Sequence, residues 1–85
     1  MKLLCFTTPT CGPCKRQKEV FEQYKGSDPT VPVDILDATA PENKQDVNDF
    51  EIFSVPTLVL VDDSRQEIKR NVGVLGLDKL KSFLG

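Results

Sequence analysis

Cys11 and Cys14 are the residues of this chain best suited to chemistry, and they flank Gly12 and Pro13 in the stretch PTCGPCKRQ. Three uses of such a pair come into question: a structural staple, part of a metal centre, or reversible thiol–disulfide exchange. A staple stabilises by closing a loop in the unfolded chain, and its effect grows with loop length. Bridging across Gly12 and Pro13 closes almost nothing, so a staple is a poor use of the pair. A structural zinc site wants four ligands drawn from cysteine and histidine. This chain has three cysteines and no histidine, so a carboxylate or a second chain would have to complete the set. No resident metal is expected.

Exchange chemistry fits the surroundings better. Pro13 has a fixed φ suited to the first turn of a helix. From Cys14 to Lys25 the chain runs without Gly or Pro. Cys11 then stands just before the helix, near its open N–H groups and the positive end of its dipole. That field favours a thiolate, which is the attacking species in disulfide exchange. Lys15, Arg16 and Lys18 add positive charge nearby, although their plain reading is a solvated helix face. Cys14 lies one turn further in, less exposed and within bonding reach of Cys11. Cys11 is expected to attack a disulfide, and Cys14 to resolve the mixed disulfide that results.

The rest of the chain must hold that pair. Lys2 to Thr7 reads as a buried strand. Gln17, Val20, Phe21 and Tyr24 fall at helical spacing and predict one inward stripe. Gly26 is the expected cap, and Gly26 to Thr30 a turn. Val31 to Leu36 reads as a second strand, with Pro32 marking an edge. Thr39 and Glu42 fit a capping box for a helix reaching about Glu51, with Val47 and Phe50 inward. Ile52 to Val55 is a linker. Pro56 to Val61 is nearly all apolar and predicts a central strand. Asp62 to Arg65 is a tight turn into an exposed edge strand, Gln66 to Val72, which Gly73 ends. Leu77 to Leu84 closes the chain as a helix with Gly76 at its N-cap. The order β-α-β-α-β-β-α predicts an α/β fold: a four-stranded mixed sheet with helices on both faces. Two βαβ units in that order imply parallel strands, and the hairpin adds an antiparallel edge.

Composition narrows the classes. With 85 residues, a single domain over 1–85 with a modest core is expected. A net charge of −2, with no basic stripe or aromatic ladder, gives no reason to expect a nucleic-acid partner. The longest apolar run, Thr57 to Val61, falls far short of the ~20 residues that span a bilayer. MKLLCFTTPT lacks the long apolar stretch of an export signal, so the cytoplasm is the expected compartment. A reducing compartment does not hold a disulfide framework, and an odd cysteine count does not pair up in one chain. A monomer is expected.

CGPCK, Cys11 to Lys15, resembles the active-site core of the thioredoxin superfamily. Val55-Pro56-Thr57 resembles the family's cis-proline loop, and Val72-Gly73-Val74-Leu75 its Val-Gly-Ala-Leu loop. Leu80 to Leu84 resembles its closing helix, so the similarity spans nearly the whole chain. The resemblance implies a minimal thioredoxin fold and a dithiol–disulfide oxidoreductase that reduces protein disulfides. Cys11 and Cys14 would be the catalytic residues and the redox disulfide, with no bound cofactor. A thioredoxin-reductase-like donor would restore the dithiol. The resemblance further implies that the backbone of Val55 pairs with substrate peptide. Thr10, Gly12, Pro13, Val55, Pro56, Gly73 and Val74 would line a shallow groove. The chain departs from the family pattern at Thr10, where thioredoxins have Trp. It also departs at Cys5, where they bury an Asp; here Cys5 reads as a small buried hydrophobe. Glutaredoxins share this length and strand order, but usually carry CPYC-like sites and a Gly-Gly followed by acids. Here Gly73 is followed by Val74, and Asp78 stands alone. A glutathione-coupled reductant and a non-catalytic binding subunit on the same fold are the alternatives.

Overall fold

Strand β1 (Lys2–Thr7) is buried from Leu3 onward because both faces of the sheet are covered. Side chains alternate across a strand. Leu3 and Cys5 join Leu58 and Leu60 in one apolar cluster, while Leu4 and Phe6 join Val59 and Val61 in another. This explains why β1 and β3 (Thr57–Val61) read as continuous apolar runs rather than alternating ones. The structure, a computed structural model, describes residues 1–27 and 29–85. The expected turn from Gly26 to Thr30 therefore lies partly outside the described residues.

Helix α1 (Gly12–Lys25) covers the first cluster with Cys14, Gln17, Phe21 and Tyr24 buried along one stripe. Val20, expected in that stripe, packs partly buried beside it. Gly26 caps the helix as expected, its N–H donating to Glu22 O. The Tyr24 hydroxyl accepts from Val31 N at 2.9 Å and donates to Val31 O at 3.1 Å, tying α1 to the chain entering the next strand. Helix α3 (Leu77–Leu84), N-capped by Gly76, lies on the same face through Leu80 and Leu84. Leu77, expected inward, packs partly buried against that cluster.

The sheet order is β2-β1-β3-β4, with β2 (Val33–Asp37) and β4 (Glu67–Val72) at the edges. Strand β2 begins two residues later than expected. Pro32 stays outside it, and its carbonyl accepts from Leu3 N at 2.9 Å. Between Leu60 and Val61 the pairing with β4 shifts from Lys69 to Glu67, leaving Ile68 as a bulge that twists an exposed edge.

Two expectations are corrected. The second connection does not return a parallel strand: β1 and β2 are parallel, but β3 runs antiparallel to β1. The link leaves beside Thr7, where Asp37 ends β2, and re-enters beside Phe6, where Thr57 begins β3. Its helix α2 (Lys44–Asp49) rises only about 9 Å over its six residues. A five-residue strand is about 17 Å long. The connection thus starts and ends at one end of the sheet, a choice of direction that apolar patterning does not encode. The capping box is also absent. Thr39 donates instead, through both its backbone N–H (2.8 Å) and its hydroxyl (2.6 Å), to the Asp37 carboxylate. A short 3-10 turn, Pro41–Asn43, precedes α2 with no side-chain cap. Val47 and Phe50 do face inward, onto the second cluster, and Ile52 of the supposed linker is buried in it. Helices therefore cover both faces. No helix among the described residues is long and apolar enough to cross a membrane.

Candidate active site

The parallel β1–β2 pair and the antiparallel β1–β3–β4 run bring three loops to one end of the sheet. Residues 8–11 follow β1, residues 52–56 precede β3, and residues 73–76 follow β4. The pairings Phe6 with Thr57 and Thr57 with Val72 fix this convergence.

Cys11 is the N-cap of α1, in an extended conformation with φ −84° and ψ 112°. Its Sγ accepts the Cys14 backbone N–H at 3.1 Å. Cys11 and Cys14 are joined as a disulfide, with Cα atoms 5.3 Å apart. Burial separates the two: Cys11 is half-buried, whereas Cys14 is only 1% exposed. Gly12 and Pro13 begin the helix at the surface, and the first turn holds no acid to oppose a thiolate. An N–H aimed at sulfur and the helix dipole both favour the charged form of Cys11 once the disulfide opens. The geometry suits reversible attack by the more accessible sulfur, closed by the inner one.

The other residues singled out in the sequence are arranged in two tied loops. The Val55–Pro56 peptide bond is cis. Pro56 is buried and Val55 half-buried. Gly73 has φ +105°, a left-handed conformation that favours glycine, and its N–H donates to Pro56 O at 2.9 Å. Val74 is 37% exposed beside it, and Thr10 is exposed just before the pair. Thus Pro56 and Gly73 are directly bonded, while Thr10, Gly12 and Pro13 belong to the cysteine loop and helix start. A cleft of about 380 Å³ opens elsewhere, between α2 and the Ser64–Glu67 segment, and shares no residue with these loops.

Sequence reasoning missed the role of Gln17. Its spacing places it as one member of an inward stripe, yet its amide is fully buried and makes two hydrogen bonds to the loop after β4. Nε2 donates to Leu75 O at 3.1 Å, and Oε1 accepts from Leu75 N at 2.7 Å. The available signal was a polar residue at a core position of an apolar stripe, since such a group is buried only with partners.

Cys5 is fully buried, as expected of a small hydrophobe. Burial pushes its thiol up from 9.0 to about 12, with the Lys18 charge opposing. The folded protein therefore holds the neutral thiol. In the unfolded chain Cys5 ionises at its ordinary value, so its contribution is intact below pH 9.0 and is lost as pH rises toward about 12. The loss reaches about 1.4 kcal/mol per pH unit in that window. In the oxidised protein Cys5 is the free cysteine. Iodoacetamide at pH 8 is expected to label it only after denaturant is added, as read by mass. Fast labelling in native buffer would contradict a closed core around Cys5.

Comparison with known proteins agrees with this geometry. The thioredoxin family model matches residues 1–85. A thioredoxin of Staphylococcus haemolyticus is 33% identical over 84 residues, covering 99% of this chain and 79% of that protein. A thioredoxin of Chlamydia muridarum is 35% identical over 82 residues, covering 96% and 78%. The solved structure of thioredoxin 1 from Thermosipho africanus superposes with a TM-score of 0.72 at 24% identity, covering 99% of this chain and 94% of that one, and shares the fold. With a cysteine pair of matching spacing at the helix start, the chain belongs to the thioredoxin family and is a dithiol–disulfide oxidoreductase, a class that acts on disulfide-containing proteins.

Proposed function

We propose that Cys11 is the nucleophile and Cys14 the resolving thiol of a protein-disulfide reductant. The observation that carries this assignment is their difference in exposure together with the Cys14 N–H donated to Cys11 Sγ at 3.1 Å. The Cys11 thiolate attacks one sulfur of a substrate disulfide. A Cys11–substrate S–S bond forms, the substrate's own S–S bond breaks, and the leaving thiolate takes a proton. Cys14, deprotonated, then attacks Cys11 Sγ. The Cys11–Cys14 bond forms, and the second substrate sulfur leaves as a thiolate. Two electrons have passed to the substrate, and two from a donor restore the dithiol. Thr10, Gly12, Pro13, Val55, Pro56, Gly73 and Val74 are the proposed contact surface, with the Val55 backbone pairing to substrate peptide. Their convergence at one end of the sheet, and the Gly73–Pro56 bond at 2.9 Å, support that reading. The protein works as a monomeric single domain in the cytoplasm, where a dithiol is the resting state.

The proposed donor is a thioredoxin reductase. NADPH oxidation with insulin as substrate tests it, in one tube with thioredoxin reductase and in another with glutathione plus glutathione reductase. Turnover is expected in the first alone. Turnover confined to the second would make the protein glutathione-coupled and overturn the reading of Gly73-Val74 as lacking a glutathione grip.

A further inference from the structure

We infer that Gln17 is a positioning residue for protein substrates: its buried amide fixes the Gly73–Leu75 loop against the helix that carries Cys11 and Cys14. The inference rests on the contact surface proposed above.

An amide side chain is chemically a peptide group. Here it pairs with Leu75 as a neighbouring strand would, one bond in each direction, at 3.1 and 2.7 Å. Beyond Val72 strand β4 has ended, so the backbone of Leu75 takes its partner from α1 rather than from the sheet. The start of the loop is tied differently: Gly73 N donates to Pro56 O at 2.9 Å. The segment is thus pinned at both ends, to the proline loop at Gly73 and to α1 at Leu75. Val74 is held out between the two anchors, 37% exposed. Gln17 lies one helical turn beyond Cys14, so the second anchor is rigidly linked to the redox pair. A leucine would satisfy an apolar stripe equally well. It would leave the N–H and C=O of Leu75 unpaired and free the loop to move relative to Cys11.

This role predicts a selective defect. A protein disulfide needs both the sulfur and the loop in register, whereas a small disulfide needs the sulfur. The test is the second-order rate constant of the reduced protein with insulin, divided by that with 2,2′-dithiodipyridine. The ratio cancels changes in thiolate content. Gln17→Leu is expected to lower it about tenfold, because small misplacements of bound groups cost factors of this order. Gln17→Glu supplies the chemical rescue. Burial favours its neutral carboxyl, which can accept from Leu75 N and donate to Leu75 O as the amide does. At pH 5.5 the Gln17→Glu ratio is expected to lie within about twofold of the unsubstituted protein. An unchanged ratio for Gln17→Leu would overturn the inference. So would a Gln17→Glu ratio at pH 5.5 as low as that of Gln17→Leu. Should Gln17→Leu fail to fold, Gln17→Glu at pH 5.5 decides alone: a near-native ratio upholds the inference and a tenfold fall overturns it. Failure of the unsubstituted protein to reduce either disulfide would instead refute the proposed active site.

Discussion

Cys14→Ser is expected to turn a recycling reductant into a covalent trap. The half-buried Cys11 keeps its place at the N-cap of α1, so it still attacks a substrate disulfide. The serine hydroxyl does not attack disulfide sulfur as a thiolate does, and the mixed disulfide persists. Resolution then depends on external thiol. Turnover is expected to fall about a thousandfold or more, because attack within one molecule outpaces attack by millimolar external thiol by at least that factor. The adduct should run at the summed mass of the two proteins on a non-reducing gel and disappear with reductant. Cys11→Ser abolishes turnover as well, but for a different reason: Cys14 is 1% exposed and meets no substrate sulfur. It should give no adduct. The pair of results separates nucleophile from resolver. An adduct with Cys11→Ser and none with Cys14→Ser would reverse the assignment. Cellular activity that survives replacement of both Cys11 and Cys14 by serine would remove the enzyme reading altogether, leaving the fold as a binding platform.

How much of this was legible in the sequence depended on whether a feature is local. The helix start at Gly12-Pro13, the buried β1, the exposed β4 and the closing helix are set by short-range patterning, and their bounds fall within two residues of expectation. The cysteine pair was legible for the same reason, since spacing and helix onset are local. The direction of β3 was not, because it depends on where a connection ends rather than on the residues of the strand. Thr39 misled because its hydroxyl can serve either a helix cap or an Asx-type turn. Asp37, two residues upstream, supplied the competing acceptor at 2.6 Å. The thiol reading of Cys5 held because burial alone decides it. Gln17 was invisible as a clamp: its partner, Leu75, lies 58 residues away in sequence. Site geometry here is long-range, and motif spacing reports only the cysteine half of it.

Phe21→Ala should bring the fold close to collapse, although Phe21 touches no sulfur chemistry. The ring is fully buried on α1, in the cluster that α1 and α3 share with β1 and β3. Truncating a buried Phe to Ala costs about 3–5 kcal/mol from lost transfer energy and the cavity left behind. A chain of 85 residues has a total stability of about 4–13 kcal/mol. The substitution therefore removes a large share of it, and each kcal/mol lowers the midpoint of thermal unfolding by about 4–8 °C in a domain this small. Phe53→Ala is the control. Phe53 is 90% exposed, so its loss should change stability by no more than about 0.5 kcal/mol. Urea unfolding of the two variants, compared at equal slope, checks the contrast. A cost below about 1 kcal/mol for Phe21→Ala would mean that the site collapses without a cavity, and α1 would be anchored chiefly by its polar ties. Those ties are Gln17 to Leu75 and Tyr24 to Val31. The expected outcome assigns them a different task. Apolar burial supplies the energy that keeps α1 on the sheet, and the two side-chain clamps fix where along the sheet the helix start, and with it Cys11, comes to rest.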